Sequence, residues 1–393
     1  MGTRIERDLA PHLLRAAEQF PAVTLTGPRQ SGKSTLCRAI FAGLPYESLE
    51  APDIRSFALE DPRAFLARFP QGAILDEVQR APHLPSYLQG LIDADPSPGR
   101  WILTGSQNLS LVESVGQSLA GRTAVLHLLP LARSEAIRFP QHPRTADEAM
   151  LAGGYPRILD RQLDPSDWVR SYVATYLERD VRSIANIGDL VAFQRFVELC
   201  AGRTGQLLNL SALASDAGIS QPTAKAWLSV LEASFLVVRL PAFHSNLRKR
   251  LVKMAKLHFV DTGVACWLLG IRSVEQLRSH PLRGAIFETW VATEILKHRT
   301  NLGEVGGLSH YRDRDAVEAD LVVDGRAGRT VVEAKAAMTA STSLFDGARR
   351  VASLLTETGQ SCRAMVVYAG DDPQTRNGVD LVPWHALHEQ PLT

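Results

Sequence analysis

The stretch Gly27-Pro-Arg-Gln-Ser-Gly-Lys-Ser34 is the most informative segment of the sequence. It matches the pattern GxxxxGK[ST] at every fixed position, follows the apolar segment Val23–Thr26 and precedes the helical pattern Thr35–Phe41. Glycines let a backbone wrap around an anion, and the amides of the following helix N-terminus then point at it. A glycine-rich turn with a chance lysine is the alternative, and the flanking strand and helix argue against it. The segment therefore predicts a phosphate-binding loop.

Each position of this loop has a predicted role in binding ATP with Mg²⁺. Lys33 is expected to reach the β- and γ-phosphates, and the Ser34 hydroxyl is expected to bind the metal. The remaining nucleotide-binding positions are predicted to be Gly27, Pro28, Arg29, Gln30, Ser31, Gly32 and Thr35.

A pair of acidic residues follows about forty residues later, where the apolar run Ala73–Leu75 ends in Asp76 and Glu77. A carboxylate at the end of a strand can hold the water shell of Mg²⁺, and the next acid can polarise the attacking water. Two adjacent acids can also serve as a simple helix cap. Together with the loop, Asp76 is predicted to contact the metal and Glu77 to activate water, which makes ATP hydrolysis the expected reaction.

Two further segments place polar groups near this site. The strand pattern Trp101–Thr104 ends in Thr104, Ser106 and Gln107, any of which could sense the γ-phosphate if the sheet is parallel. A turn of small polar residues is the alternative. Arg122 precedes the strand pattern Ala124–Leu128 and is a candidate arginine finger for the nucleotide of a neighbouring subunit. A surface arginine is the alternative.

Length and composition indicate an α/β protein of several domains. A chain of 393 residues is too long for one compact core, and short apolar runs alternate with helical patterns over the first 150 residues. We expect a parallel-sheet P-loop domain over 1–150, a helical and winged-helix domain over 151–245 and a further α/β domain over 246–393. The formal net charge is +1, so any surface that binds nucleic acid must be local. The four cysteines are scattered, which argues against disulfides or zinc. With no signal peptide or apolar span evident, a cytoplasmic protein without membrane association is expected.

The middle of the chain predicts a helix-turn-helix with a wing strand. Ser211–Ala217 fits a short helix, Ser220 can cap a second helix over Gln221–Glu232, and Phe235–Leu240 alternates as a strand does. The second helix offers four side chains to DNA: Gln221, Thr223, Lys225 and Trp227. The connector Leu247–Lys256 is the most basic run of the chain. Packing or protein contact is the alternative for the helix pair, and a solvated face is the alternative for the connector.

Four residues near the C-terminus form a possible second site. Glu288 lies on an otherwise apolar face of the helix pattern Gly284–Lys297, Asp320 follows in a strand pattern, and Glu333 and Lys335 share one face of a returning strand. Metal-dependent nucleases use this D…ExK pattern, in which the acids hold Mg²⁺ or Mn²⁺ and the lysine orients water. Solvent-facing Glu and Lys on a hairpin are the alternative. We therefore predict metal ligation by Glu288, Asp320 and Glu333, with Lys335 as a catalytic residue.

These motifs together resemble one family, the bacterial and archaeal AAA-type P-loop ATPases with a C-terminal restriction-endonuclease-like domain of the PD-(D/E)XK type. The resemblance covers nearly the whole chain. Beyond the segments above, it includes Ala120–Arg122, Gly153–Pro156, Thr175–Arg182, His258–Gly263 and Phe287-Glu288. It implies nucleotide roles for Lys33, Ser34, Asp76 and Glu77, and a conjectural finger role for Arg122. Asp320, Glu333 and Lys335 match the nuclease-like signature, although many members of that superfold have lost catalysis.

The function expected on this basis is that of an ATPase acting as a motor or switch on nucleic acid, DNA rather than RNA, with a possible nuclease domain and possible self-association. The alternative is an ATP-controlled switch that acts on a protein partner, as in signalling or toxin–antitoxin systems, with an inert C-terminal domain. A metabolic phosphotransferase is disfavoured because no small-substrate site is evident beside the ATP loop.

Overall fold

A computed structural model of the chain describes residues 5–106, 118–175, 189–243, 254–313, 315–326, 328–357 and 361–392. The described residues form three sheets with helices packed around them. The chain is thus an α/β protein of several domains, as its sequence predicts.

The first sheet is parallel and has five strands in the order β2-β3-β4-β1-β5. Its strands are β1 (Ala22–Thr26), β2 (Tyr46–Ser48), β3 (Ala73–Asp76), β4 (Trp101–Gly105) and β5 (Thr123–His127). Four of them confirm the strands predicted from apolar runs. The three-residue β2 is too short to leave such a pattern. Because all strands run the same way, their carboxyl ends meet along one edge.

Helices cover both faces of this sheet. They are α1 (Ala10–Gln19), α2 (Lys33–Ile40), α3 (Pro52–Glu60), α4 (Pro62–Ala67) and α5 (Leu84–Ala94). Successive strand residues enter opposite cores, since Ile102 packs with α1 and α2 while Trp101 and Leu103 pack with α4 and α5. Burial on both faces explains why these strands are nearly continuous apolar runs rather than alternating ones.

The middle of the chain is mainly helical. Its helices are α6 (Arg133–Ala136), α7 (Ala146–Ala152), α8 (Pro156–Arg161), α9 (Pro165–Tyr172), α10 (Leu190–Ala201), α11 (Leu210–Ala217) and α12 (Gln221–Ala233). Residues 176–188, which include most of the segment Thr175–Arg182 that carried the family resemblance, lie outside the described part of the chain.

The predicted helix-turn-helix corresponds to α11 and α12. Asn209 and Ser220 cap the two helices. Gly218 ends the first helix in the left-handed conformation (φ 72°), which a residue without a Cβ adopts without strain. A small antiparallel sheet follows, in the order β6-β8-β7, with β6 (Gln206–Leu207), β7 (Val237–Leu240) and β8 (Lys256–Phe259). This arrangement places the predicted wing strand beside the helix pair.

The C-terminal part contains a mixed sheet of six strands in the order β13-β14-β12-β11-β10-β9. Its strands are β9 (Leu308–Arg312), β10 (Glu318–Gly325), β11 (Gly328–Lys335), β12 (Cys362–Tyr368), β13 (Gln374–Arg376) and β14 (Val379–Pro383). The helices of this part of the chain are α13 (Thr262–Leu268), α14 (Val274–Ser279), α15 (Arg283–Asn301) and α16 (Asp346–Thr356). Helix α15 packs on one face of the sheet and α16 on the other. Within the described residues, no helix combines the length and apolar character that a membrane crossing requires.

Candidate functional site

The phosphate-binding loop joins the carboxyl end of β1 to the N-terminus of α2. Gly27 has a φ of 150°, and a Cβ there would collide with the backbone oxygen of Leu128, so the position requires glycine. Gly32, with a φ of 96°, precedes the first residue of α2 in the left-handed conformation. Two glycines thus fold the loop tightly against β5 and aim the first turn of α2 into the site.

Lys33 is buried at the centre of this loop. Its ammonium donates hydrogen bonds to the backbone oxygens of Gly27 (2.9 Å) and Pro28 (2.8 Å). Burial lowers the pKa of Lys33 to about 8, although the nearby carboxylates of Glu77 and Asp76 act in the opposite direction. An ammonium held only by neutral carbonyls is poorly compensated, so an anion such as a phosphate is a better partner for it.

Asp76 ends β3 and is held by three hydroxyl groups. Its Oδ2 accepts from the Ser34 hydroxyl (2.8 Å) and the Tyr46 hydroxyl (2.6 Å), and its Oδ1 accepts from Thr104. Burial, followed by the hydrogen bond to Asp76, raises the pKa of Tyr46 to about 12, so this phenol stays a donor. The structure thus brings the predicted metal-binding pair Ser34 and Asp76 together. The sequence did not indicate the role of Tyr46, because it did not predict the short strand β2. The Thr104 hydroxyl donates to the Asp76 carboxylate and is therefore not free to contact a phosphate.

Glu77 directly follows Asp76 at the carboxyl end of β3. It has a positive φ of 57°, which is uncommon for a residue with a Cβ. Its Oε2 accepts from the Ser106 hydroxyl (3.1 Å) and from Gln79, whose amide also donates to Ser106 (3.2 Å). The carboxylate that is predicted to activate water is therefore fixed by two side chains. Gln107, the other candidate on this edge, lies outside the described residues.

A buried ion pair between Arg7 and Glu135, which the sequence did not indicate, contacts the phosphate-binding loop. The guanidinium of Arg7 donates to Glu135 Oε1 (2.8 Å), to the backbone oxygen of Ser31 (2.7 Å) and to that of Leu129 (2.9 Å). Glu135 is fully buried and also accepts from the amides of Asp8 and Ala132, each at 2.9 Å. Since 128 residues separate the ion-paired partners, no local pattern could have indicated the contact.

The loop opens on a cleft of about 950 Å³ that α8 closes on one side. The cleft lining includes Lys33 and Glu77 from the first domain together with Arg157 and Arg161 from α8. The Arg157 side chain is exposed there. A helix of the middle domain therefore contributes Arg157, and Arg161 paired with Asp160, to the cleft in which a nucleotide is expected, a role that the sequence did not suggest.

Two segments that carried the family resemblance meet at the start of α8. The buried Asp261 carboxylate accepts from the Gly154 amide (2.7 Å) and caps α13 by accepting from Val264 (3.1 Å). A Cβ on Gly153 would collide with Asp261, so glycine is required at that position. Burial raises the pKa of Asp261, opposed by Lys297 and by these amides. The carboxylate thus ties the α8 wall of the cleft to α13.

Arg122 lies at the opposite edge of the sheet from the phosphate-binding loop, just before the first residue of β5. Its guanidinium forms a bidentate ion pair with the exposed Asp93, at 2.5 and 2.9 Å. It does not contact the nucleotide cleft of its own chain. A finger role towards a neighbouring subunit stays a prediction.

The four predicted C-terminal residues lie close together. Lys335 donates to Glu333 Oε1 (2.6 Å), and Asp320 Oδ2 accepts from the amide of Ala334 (2.9 Å) on the same strand. Burial and then Asp320 raise the pKa of Glu288 and raise that of Glu333 to about 7. The helix and the hairpin thus place three carboxyl groups within mutual electrostatic range. Their predicted roles stay predictions.

A fifth residue changes what this cluster can hold. The ammonium of Lys256, at the start of β8, donates to Glu288 Oε1 (2.7 Å) and Asp320 Oδ1 (3.1 Å). The described residues include no group of three His, Cys, Asp or Glu side chains arranged to hold a metal ion. An ammonium therefore bridges Glu288 and Asp320, and metal ligation by Glu288, Asp320 and Glu333 stays a prediction. Sequence reasoning treated Lys256 as part of an exposed basic run, whereas the structure buries it.

The prediction that the side chains of α12 contact DNA also requires a correction. Trp227 is buried and packs edge-on against Phe193 and Phe196, so it stabilises the core and is not available to DNA. Gln221 and Lys225 remain exposed at the start of α12. Most of the basic connector, residues 244–253, lies outside the described part of the chain.

Comparison with known proteins assigns the chain to a family. Residues 19–137 match an AAA domain, and residues 143–275 and 283–387 match two domains of unknown function, DUF8612 and DUF4143. The uncharacterized protein Rv2008c of Mycobacterium tuberculosis is 31% identical over 368 residues, which cover 93% of this chain and 80% of the relative. The chain belongs to this family of AAA-domain proteins. The uncharacterized protein Mb2031c of Mycobacterium bovis matches to the same extent.

These matches indicate a function for the first domain but not for the last. The AAA domain implies binding of ATP with Mg²⁺ in general, and the family models that match the chain are not described as nucleases. Among solved structures, the Walker-type ATPase PABY2304 of Pyrococcus abyssi is similar, with 16% identity and a TM-score of 0.47 over 66% of this chain and 94% of that one. The match to the C-terminal part names a domain of unknown function and assigns it no activity.

Proposed function

We propose that the chain is a Mg²⁺-dependent ATPase whose nucleotide state switches the position of the middle domain. The supporting observation is the shared cleft, in which Lys33 and Glu77 face Arg157 of α8. A triphosphate bound at Lys33 would attract the cations of α8, and loss of the γ-phosphate would weaken that attraction. Hydrolysis would thereby change how strongly α8 is held against the first domain.

The residues of the cleft have the chemistry for hydrolysis. In this proposal Ser34 and Asp76 bind Mg²⁺ and its water shell, and Lys33 compensates the phosphate charge. Glu77 polarises the attacking water, and Ser106 and Gln79 keep its carboxylate oriented.

Two substitutions test this assignment. Glu77→Gln should retain ATP binding and lose turnover by orders of magnitude, because an amide cannot accept the proton of the attacking water. Lys33→Ala should lose binding, since the phosphate charge is left uncompensated. The measurements are steady-state phosphate release and titration with a fluorescent ATP analogue. Turnover of Glu77→Gln equal to that of the unsubstituted chain would remove the role given to Glu77.

We further propose nucleic acid, DNA rather than RNA, as the partner that the switch controls. The antiparallel strands β7 and β8 stand beside the helix pair α11 and α12, as a wing does. The connection between these strands contains four cations in sequence: Arg248, Lys249, Arg250 and Lys253. Cations at a wing can meet phosphates, and Gln221 and Lys225 are exposed on the adjacent helix.

Salt dependence is the sharpest test of this partner. Duplex DNA binding should weaken as salt rises, and changing Arg248, Lys249 and Arg250 to Ala should reduce the slope of log K against log salt by about 2–3, since each phosphate contact contributes about 0.9. Arg195→Ala, at an exposed position on α10, serves as the matched control. Absence of DNA binding at low salt, with ATP hydrolysis intact, would instead favour the alternative, a switch acting on a protein partner. The burial of Trp227 and the lysine within the C-terminal acidic cluster favour that alternative.

A further inference from the structure

Five charged side chains from four elements meet in the C-terminal domain. They are Lys256 of β8, Glu288 of α15, Asp320 of β10, and Glu333 and Lys335 of β11. Leu321 pairs with Val332 across the antiparallel strands β10 and β11, so Asp320 and Glu333 are cross-strand neighbours on one face. Three acids and two lysines therefore lie together, and all of them except the partly exposed Lys335 are largely buried.

Four of the six carboxylate oxygens of this cluster are already bonded to partners other than a metal. Lys256 takes Glu288 Oε1 and Asp320 Oδ1, while the other oxygen of Asp320 accepts from the Ala334 amide. Glu333 Oε1 accepts a hydrogen bond from Lys335, and Glu333 Oε2 is buried without a hydrogen-bond partner. Mg²⁺ needs carboxylate oxygens at about 2.0–2.1 Å in octahedral geometry. A metal that bridges Glu288 and Asp320 as the ammonium does would have to displace Lys256 from the two oxygens that it now holds.

Lys256 cannot easily leave this position. Its side chain is only 6% exposed, and its residue lies within β8, paired with Leu240 of β7 and Leu207 of β6. Burial by itself lowers the pKa of Lys256, and Asp320 and Glu288 more than reverse that effect, so the net pKa is raised. The lysine is therefore a fixed, fully charged cation of the fold.

We propose that the Lys256 ammonium is the permanent cation of this cluster, that it excludes divalent metal from Glu288 and Asp320, and that its removal creates a divalent-metal site. This inference does not depend on the proposed ATPase. It explains how a domain with a D…ExK pattern stays folded with a closely packed set of acids.

The test is Mn²⁺ binding by the full chain without nucleotide, measured by electron paramagnetic resonance and calorimetry. Lys256→Ala should bind one more equivalent of Mn²⁺ than the unsubstituted chain, and the double variant Lys256→Ala, Asp320→Asn should lose it. Lys256→Ala should also melt at a lower temperature in EDTA and regain most of that loss in Mn²⁺. Lys256→Arg, which keeps a cation, should gain no equivalent. Any metal at the phosphate-binding loop is common to all four chains and cancels in the comparison.

Two results would overturn the proposal. One is an Mn²⁺ equivalent in the unsubstituted chain that Asp320→Asn removes, since a metal would then bind beside the lysine. The other is the absence of an extra equivalent in the folded variant. If Lys256→Ala does not fold, Lys256→Gln keeps most of the side-chain volume and is held to the same expectation, with circular dichroism reporting the fold.

Discussion

The buried pair of Arg7 and Glu135 allows a quantitative prediction about the phosphate-binding loop. Arg7 is 6% exposed and Glu135 is fully buried, so neither charge is well solvated. We predict that Arg7→Met destabilises the first domain and weakens ATP binding, because methionine fills similar space but leaves the Glu135 carboxylate without its cation. Ser31 in the loop would lose its donor as well.

The expected magnitude follows from the contacts. Removing one partner of a buried ion pair costs about 3–5 kcal/mol, because the remaining charge is uncompensated. The amides of Asp8 and Ala132 still donate to Glu135, which favours the lower part of that range. About 3 kcal/mol corresponds to a fall of about 10 °C in the melting temperature of a domain of this size.

Calorimetry can measure this fall if the transition of the first domain is identified as the one that ATP raises. Arg15→Met is the matched control, since Arg15 is exposed on α1. The double variant Arg7→Met, Glu135→Leu should recover part of the loss, because no buried charge then remains. A fall no larger than that of Arg15→Met would refute the reasoning, and so would a double variant that is no more stable than Arg7→Met.

Two further predictions concern the cleft itself. Since Lys33 has a pKa of about 8 and a bound phosphate raises the pKa of an ammonium, ATP binding above pH 8 should take up a proton and weaken as pH rises. Calorimetry in buffers of different ionisation enthalpy measures the uptake; Lys33→Arg, if it binds ATP, should show none, and uptake that persists there would contradict the assignment. Arg157→Ala should weaken ATP binding more than ADP binding if this side chain contacts the γ-phosphate, whereas Arg170→Ala on α9 should change neither; equal losses for both nucleotides would exclude that contact.

Local patterns were sufficient for the elements that carry the nucleotide site. The apolar runs before Gly27 and Asp76 predicted β1 and β3, because a strand buried on both faces must be apolar throughout. Parallel strands then bring Ser34 and Asp76 to one edge, so their 2.8 Å contact follows from topology that the sequence could indicate. The D…ExK pattern likewise predicted a cluster, since a hairpin aligns Asp320 with Glu333.

The partners that define each site more closely could not be predicted in this way. Arg7 and Glu135 are 128 residues apart, and Lys256 and Asp320 are 64 apart. A charged residue in a run of charges carries no local sign of being buried, because burial depends on which distant element packs over it. Trp227 shows the reverse case, in which an aromatic side chain on a presumed recognition helix is needed by the core.

The contrast between Lys33 and Lys256 gives these distant contacts a functional meaning. Both are buried lysines near carboxylates, but Lys33 donates to two neutral carbonyls and has a lowered pKa, while Lys256 donates to two carboxylates and has a raised one. A phosphate offers Lys33 more than the carbonyls do, so that contact is exchangeable. No anion arriving from water offers Lys256 more than two carboxylates already in place. One lysine is therefore arranged to bind a ligand and the other to remain where it is, and the hydrogen-bond acceptors around each ammonium decide which.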